Sequence, residues 1–358
     1  MGDKVGVVRL FLVGSMAGSL FASMYAYEGS LRNGYSIDDQ KWSWAHRYHL
    51  SLSERMHATL KGVFHFHKGG VAPFTQLIPS WNSTRPSKGH YAVYVRVRDA
   101  ATHEWDQWLH VAYWGERGQR SYGMRGNFSS FHYARLEMNK GRKADAFELK
   151  IEAHEGASLE RLQLVAVSTS DKELFQPESY SKRVQQLRSV YITEVPQISQ
   201  MNLPHKDAGK ICSPTAITVL SGAFFTLHNP LKTAEQVYDH GLSIYGNWMF
   251  NTAQAYLLCR ERIFFYPVRL ADFSALHALL VQGIPVVVSI RGTLTGAAKS
   301  FPGGHLLVVV GWNARSKKVV CHDSAFKNKE DIEVEYDLYE FIAAWELSQR
   351  LVYKPLFE

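Results

Sequence analysis

The chain carries three cysteines among its 358 residues, Cys212, Cys259 and Cys321. One of them stands where a thiol could become a nucleophile. It lies in the run ICSPTAI, residues 211–217. Pro214 suits the first position of a helix, because its missing N–H would have no partner there anyway. Ser213 then reads as the N-cap, which sets Cys212 beside a helix N-terminus. The positive end of a helix dipole stabilises a thiolate and lowers the thiol pKa. A thiolate is the species that attacks a carbonyl carbon. A small buried apolar residue is the plainer reading of any free cysteine.

Three further runs add chemistry. In GGHLLVVVGW, residues 303–312, two glycines allow a turn and His305 opens a strand. A histidine paired with a cysteine raises its thiolate content and later protonates the leaving group. In KVVCHDSAF, residues 318–326, strand alternation puts Cys321 and Asp323 on one face and His322 on the other. Asp323 could accept the second imidazole N–H of His305 and fix its tautomer. In EVPQISQ, residues 194–200, Gln200 could donate its amide to an oxyanion beside the Cys212 backbone N–H. Gln197 competes for that role on the same stretch.

In order along the chain these are Gln200, Cys212, His305 and Asp323. The set resembles papain-fold cysteine peptidases, and more narrowly the double-glycine leader peptidase-like family in a free-standing exported form. The runs VPQISQ, ICSPTAI, GNWMFNTAQAY, QGIPVVVSI, GGHLLVVVGW and VVCHDSAF carry the resemblance across about residues 194–340. It implies Cys212 as nucleophile, His305 as base, Asp323 as orienting group and Gln200 as oxyanion donor. It implies neither cofactor nor metal. Many relatives have Gly after the nucleophile, where this chain has Ser213. No transporter or nucleotide-binding domain follows, so the peptide-exporting role of the fused relatives is not expected here. In GNWMFNTAQAY, residues 246–256, Trp248 could line a cleft or be a core aromatic, and Asn251 could cap the helix that follows. Cys259 and Cys321 read as inert core, and a Cys212–Cys321 disulfide is a conceivable redox lock.

These residues need elements to hold them. Residues 214–225 read as a buried helix and 274–282 as another, stopped by Gly283 and Pro285. Residues 286–290, 305–312 and 318–324 are runs of Val, Ile and Leu that read as strands. Helix followed by consecutive strands argues for segregated α+β. Upstream, residues 91–99 (YAVYVRVRD) alternate with period two, and residues 108–114, 146–153 and 159–168 read as further strands. Short strands divided by turn residues predict an all-β sandwich or jelly-roll module. The predicted organisation is a signal peptide at 1–26, a β-sandwich domain at 27–175, a linker at 176–193 and a papain-like domain at 194–358.

The N-terminus has Lys4 and Arg9 before an apolar stretch over residues 10–22, with Ala22, Ser23 and Ala26 as cleavage points. An uncleaved anchor or a buried segment are the other readings. Export predicts a secreted, periplasmic or cell-surface protein of bacterial type. Hydrophobic residues make up 46% and charged residues 20%, which excludes global disorder. The net charge of +7 is scattered, its densest cluster being Lys140, Arg142 and Lys143, and no nucleic-acid module accompanies it. A nucleic-acid partner is therefore not expected. The β module adds His65 and His67 in FHFH, which could bind a metal, and Asn82 and Asn127 in N-x-[ST] acceptors. Its aromatic residues could contact a cell-surface glycan or a peptide.

Taken together, the sequence predicts an α+β papain-like cysteine peptidase domain preceded by an all-β sandwich or jelly-roll domain. The predicted reaction is amide hydrolysis on a protein, peptide or cell-wall peptide. A muropeptide amidase or acyl transferase would use the same site, and a catalytically inactive binding scaffold is the reading from another class.

Overall fold

The structure, a computed structural model, describes residues 44–52, 62–177 and 184–357. The expected signal peptide at 1–26 lies outside the described residues. Residues Trp44–Leu356 form one compact unit.

The first half is sheet. Its strands are β1 (Ala45–Ser51), β2 (Val63–Phe74), β3 (Gln76–Ser83), β4 (His90–Asp99), β5 (Leu109–Gly115), β6 (Gly118–Ser121), β7 (Met124–Arg125), β8 (Ser129–His132), β9 (Arg135–Met138), β10 (Ala144–His154) and β11 (Leu162–Ser170). They form a six-stranded sheet in the order β1-β11-β3-β9-β8-β7 and a five-stranded sheet in the order β2-β10-β4-β5-β6. The alternation predicted for residues 91–99 holds. Val93, Val95 and Val97 are fully buried and pair with Ile151, Leu149 and Phe147 of β10. Between them, on the other face, Arg96 meets Glu148 at 2.6 Å. Burying one face of each strand fixes this register, since a slip of one residue would expose every valine. Side chains from both sheets join one apolar cluster around Trp81, Trp114 and Phe147. The strand expected from residue 159 starts later, at Leu162. The Ser158 hydroxyl accepts from the Glu160 N–H and closes a 3-10 turn over Leu159–Arg161 first.

The second half mixes helices with a third sheet. In chain order come β12 (Val190–Tyr191), α1 (Cys212–Phe224), α2 (Pro230–Val237), α3 (Trp248–Leu258), β13 (Phe264–Arg269), α4 (Phe273–Val281), β14 (Val286–Gly292), β15 (Phe301–Asn313), β16 (Lys318–His322), β17 (Glu333–Asp337), α5 (Leu338–Glu346) and β18 (Leu351–Leu356). The strands run in the order β13-β18-β14-β15-β16-β17, and β12 pairs with β15. Val190 and Tyr191, inside the expected linker, therefore belong to this sheet.

Two details differ from the sequence reading. Helix α1 begins at Cys212 itself, with Ile211 at the cap position and no side-chain cap bond. Pro214 is its third residue, still in the first turn, where an N–H has no intrahelical acceptor. Ser213 is not the cap; its hydroxyl meets the Tyr353 hydroxyl at 3.0 Å. His305 does not open its strand, because β15 starts four residues earlier. Ile290 faces His305 while Gly292 faces Phe301, so β15 carries an irregularity between them. Gly304, at φ +101°, supplies the backbone conformation that this bulge needs.

Polar side chains join the two halves. Asn82, fully buried, donates to the Phe265 carbonyl at 3.0 Å and accepts from the Phe265 N–H at 2.8 Å. The acceptor motif at Asn82 is thus internal. Arg269 is 7% exposed and bonds neutral groups: the Gln76 side chain and the carbonyls of Ser348 and Gln349. Burial pushes its guanidinium down to about 9. Buried Asp239 accepts from the Ser121 N–H at 2.9 Å, the Ser121 hydroxyl, Asn247 at 2.8 Å and the Gly241 N–H at 2.8 Å.

Candidate active site

Helix α1, whose first residue is Cys212, packs against β15. Cys212 is half-buried, whereas Cys259 and Cys321 are fully buried, and all three are free thiols. The sheet delivers the other two groups. Strands β15 and β16 pair Val308 with His322 and Val309 with Cys321. Continuing that register puts Asp323 opposite Leu307, diagonal to His305 on the same face. His305 Nε2 and Asp323 Oδ1 meet at 2.7 Å, with His305 2% and Asp323 0% exposed. This leaves Nδ1 of the imidazole for Cys212, whose thiol interacts electrostatically with the His305 ring. Phe301 stacks on the imidazole at 4.1 Å between centroids and 9° between planes.

The site favours the charged pair. Burial opposes charge on the Cys212 thiol. The hydrogen bond and charge of His305, with backbone N–H groups of Leu306 and Ser213, outweigh it and make the thiol more acidic than usual. Burial also opposes the imidazolium, but the charge and hydrogen bond of Asp323, aided by Cys212, push His305 up to about 10. Burial works against the Asp323 carboxylate too. His305, the Ala325 N–H and the Tyr336 hydroxyl hold it below the usual carboxylate range. By contrast, burial drives the Cys259 thiol up. Burial, then the charge of Asp323, does the same to Cys321. Those two are core thiols, as expected.

Gln200 lies in a 3-10 turn over Gln200–Asn202 and is 1% exposed. Its backbone N–H donates to the Ser324 carbonyl at 2.9 Å, and its Oε1 accepts from the Ser324 hydroxyl at 2.7 Å. One amide N–H donates to the Ala208 carbonyl at 2.8 Å, four residues before Cys212. An amide nitrogen has two N–H groups, so this bond uses one of them. Gln197, the competitor, reaches Glu333 at 3.4 Å on the exposed surface instead.

Three contributors escaped the sequence reading. Tyr336 donates to Asp323 Oδ2 at 2.7 Å, Phe301 covers the imidazole, and Ser324 ties Gln200 to the residue after Asp323. Ser324 had a signal, its place beside Asp323. Tyr336 and Phe301 had none, because nothing local distinguishes them from core aromatics. Trp248 packs against the apolar cluster of the first half and under the Arg135 guanidinium, 5.6 Å from its ring. Asn247, rather than Asn251, caps α3 by accepting from the Met249 N–H. Asn251 bonds the carbonyls of Tyr245 and Asn247, at 2.7 and 2.8 Å. His65 and His67 sit exposed on β2, against Trp108 and Trp105. Among the described residues no group of three or more His, Cys, Asp or Glu could hold a metal ion. In the basic cluster, Arg142 is paired with Asp99 at 2.8 Å and Lys143 with Asp171 at 2.7 Å. Among the described residues no helix is long and apolar enough to cross a membrane.

No curated protein and no solved structure matches the chain at a significant level. Residues 192–353, the stretch holding Cys212, His305 and Asp323, match the model of the Peptidase_C39 like family. That match supports a papain-like cysteine peptidase family for this part of the chain.

Proposed function

We propose that the protein is an exported cysteine hydrolase that breaks peptide or isopeptide amide bonds through Cys212, His305 and Asp323. The observation that carries the reading is the buried imidazole of His305, held by Asp323 at 2.7 Å and coupled electrostatically to the Cys212 thiol, which it makes more acidic. The Cys212 thiolate attacks the scissile carbonyl carbon and forms a C–S bond. Negative charge moves to the carbonyl oxygen, which the Gln200 amide and the Cys212 backbone N–H receive. The C–N bond breaks as His305 gives its proton to the departing amine. Water, deprotonated by neutral His305, then attacks the thioester, breaks the C–S bond, releases the acid and restores the thiolate–imidazolium pair. In this reading the two N-terminal sheets are a β-sandwich domain ahead of a papain-like domain at 194–358, and the signal directs the chain out of the cell.

Iodoacetamide labelling across pH, with peptide mapping of the three cysteines, tests the proposal. Fast labelling of Cys212 at about pH 6, well below the free thiol pKa of about 8.5, and its loss in His305→Ala, supports it. Labelling of Cys212 only above about pH 8 in the folded protein would favour a binding scaffold instead.

A further inference from the structure

An irregular stretch of β15 sets the surroundings of the His305 ring. Strands β14 and β15 pair Ile290 with His305 and Gly292 with Phe301. One residue of β14, Arg291, therefore spans three of β15: Pro302, Gly303 and Gly304. Regular pairing would put Gly303 opposite Gly292. The two extra residues bring Phe301 to that place instead, two register positions from His305 and on the same face. Four residues of regular strand would hold the two side chains about 13 Å apart. Pro302 and Gly303 are exposed, while Phe301 and His305 are buried.

The result is a parallel stack, with ring centroids 4.1 Å apart and planes 9° apart. The face of a phenyl ring is negative. A cation over that face is attracted, and more so where water is excluded. Asp323, just after β16, and Cys212, at the start of α1, act on the charge of His305. Tyr336 of β17 reaches Asp323. Asp323 meets the imidazole at its edge, at Nε2, and Phe301 meets its face.

We propose that Phe301 is a positioning residue for the reaction, whose ring face holds the His305 imidazolium in the plane that keeps Nε2 on Asp323 and favours the charged ring over the neutral one. The inference rests on the cysteine-hydrolase reading above and adds a residue to its machinery. Phe301 acts through His305.

Leucine keeps an apolar cover on the imidazole and lacks the aromatic face, so Phe301→Leu isolates the contact. Phe301→Met, which also lacks a ring, replaces it where the leucine variant does not fold. NMR titration of histidine-labelled protein reads the effect, in a Cys212→Ser background that removes the thiol's own titration. The His305 signal is assigned by its absence in Cys212→Ser/His305→Gln. Phe301→Leu is expected to lower the His305 midpoint by about half to one pH unit, the size of a cation–ring contact shielded from water. Phe301→Tyr keeps the ring face and should keep the midpoint. An unmoved midpoint in folded Phe301→Leu limits Phe301 to packing and overturns the inference, with the hydrolase reading left standing. A midpoint that falls equally in Phe301→Tyr overturns it too, since the face is still present. Iodoacetamide labelling of the wild-type protein reports on the underlying reading. A Cys212 that stays unlabelled at about pH 6 overturns that reading and the role of Phe301 with it.

Discussion

Tyr336 donates its hydroxyl to Asp323 Oδ2 at 2.7 Å, the carboxylate oxygen that His305 leaves free. The carboxylate is therefore held from both ends, since His305 and the Ala325 N–H take Oδ1 at 2.7 and 2.9 Å. A carboxylate fixed this way holds the imidazole at one angle and in one tautomer.

Tyr336→Phe removes that hydroxyl and nothing else. Turnover is expected to fall about tenfold, the lower end of what outer supports of a site contribute. Stability is expected to fall by about 1–3 kcal/mol, because a buried carboxylate oxygen loses its partner. Denaturant unfolding and the pH profile of Cys212 alkylation check the two effects separately. A profile identical to wild type would limit Tyr336 to a packing role.

Asp323→Asn keeps the shape and removes the charge. The charge and hydrogen bond of Asp323 are the leading supports of the His305 imidazolium. The imidazole pKa should therefore fall and the Cys212 thiol pKa should rise. The midpoint of Cys212 labelling is expected to move toward the ordinary value of about 8.5. Hydrolysis should drop about 10²–10⁴-fold. Alkylation kinetics from acid to alkaline pH give the first result.

Stability should depend on the charge of His305 in a stated direction. Its folded pKa, about 10, lies above the unfolded value. The imidazolium then contributes stability that is whole below an unfolded pKa of about 6.5. That contribution is lost as pH rises through the folded value. Cys212→Ser removes the thiolate's own titration and keeps the Asp323 support. Thermal melts of Cys212→Ser against Cys212→Ser/His305→Gln should show an advantage near neutral pH that shrinks toward alkaline pH. An advantage that grows with pH would contradict the direction.

Asp239 fastens the two halves at a buried point. Asp239→Ala leaves the Ser121 N–H, the Gly241 N–H and the Asn247 amide without that acceptor. A loss of about 2–4 kcal/mol is expected, from unpaired buried donors. Gly241 approaches Ser121 so closely that a Cβ there would stand 2.0 Å from the Ser121 carbonyl oxygen. Gly241→Ala should weaken the same junction. Urea unfolding of both variants measures the loss, and two separate transitions in Asp239→Ala would mean that the halves had uncoupled.

Much of the site was legible because its signals are local. The run ICSPTAI is apolar after its proline and begins where a helix can begin, so it puts Cys212 in a first turn. Strand alternation in KVVCHDSAF sets Asp323 on the face that His305 shares. The valines of residues 91–99 announce their buried side for the same reason, since a pleat turns alternate residues to one face. Cap identity was misread at Ser213 and Asn251, because caps depend on where the chain enters a helix, and tertiary contacts set that angle.

The sequence by itself determined the helix-start cysteine, the strand that carries the histidine, the aspartate two strand positions from a core cysteine, and the β-rich first half. Each follows from propensity and periodicity over a few neighbouring residues. Only the tertiary structure decided that Tyr336 braces Asp323 and Phe301 covers the His305 ring, and that Asn82 and Asp239 lock the halves together. Phe301 and His305 are near in sequence but are stacked by the irregular stretch of β15 between them, and the other pairs are 13 to 183 positions apart. They depend on strand order and loop closure, which no local pattern encodes.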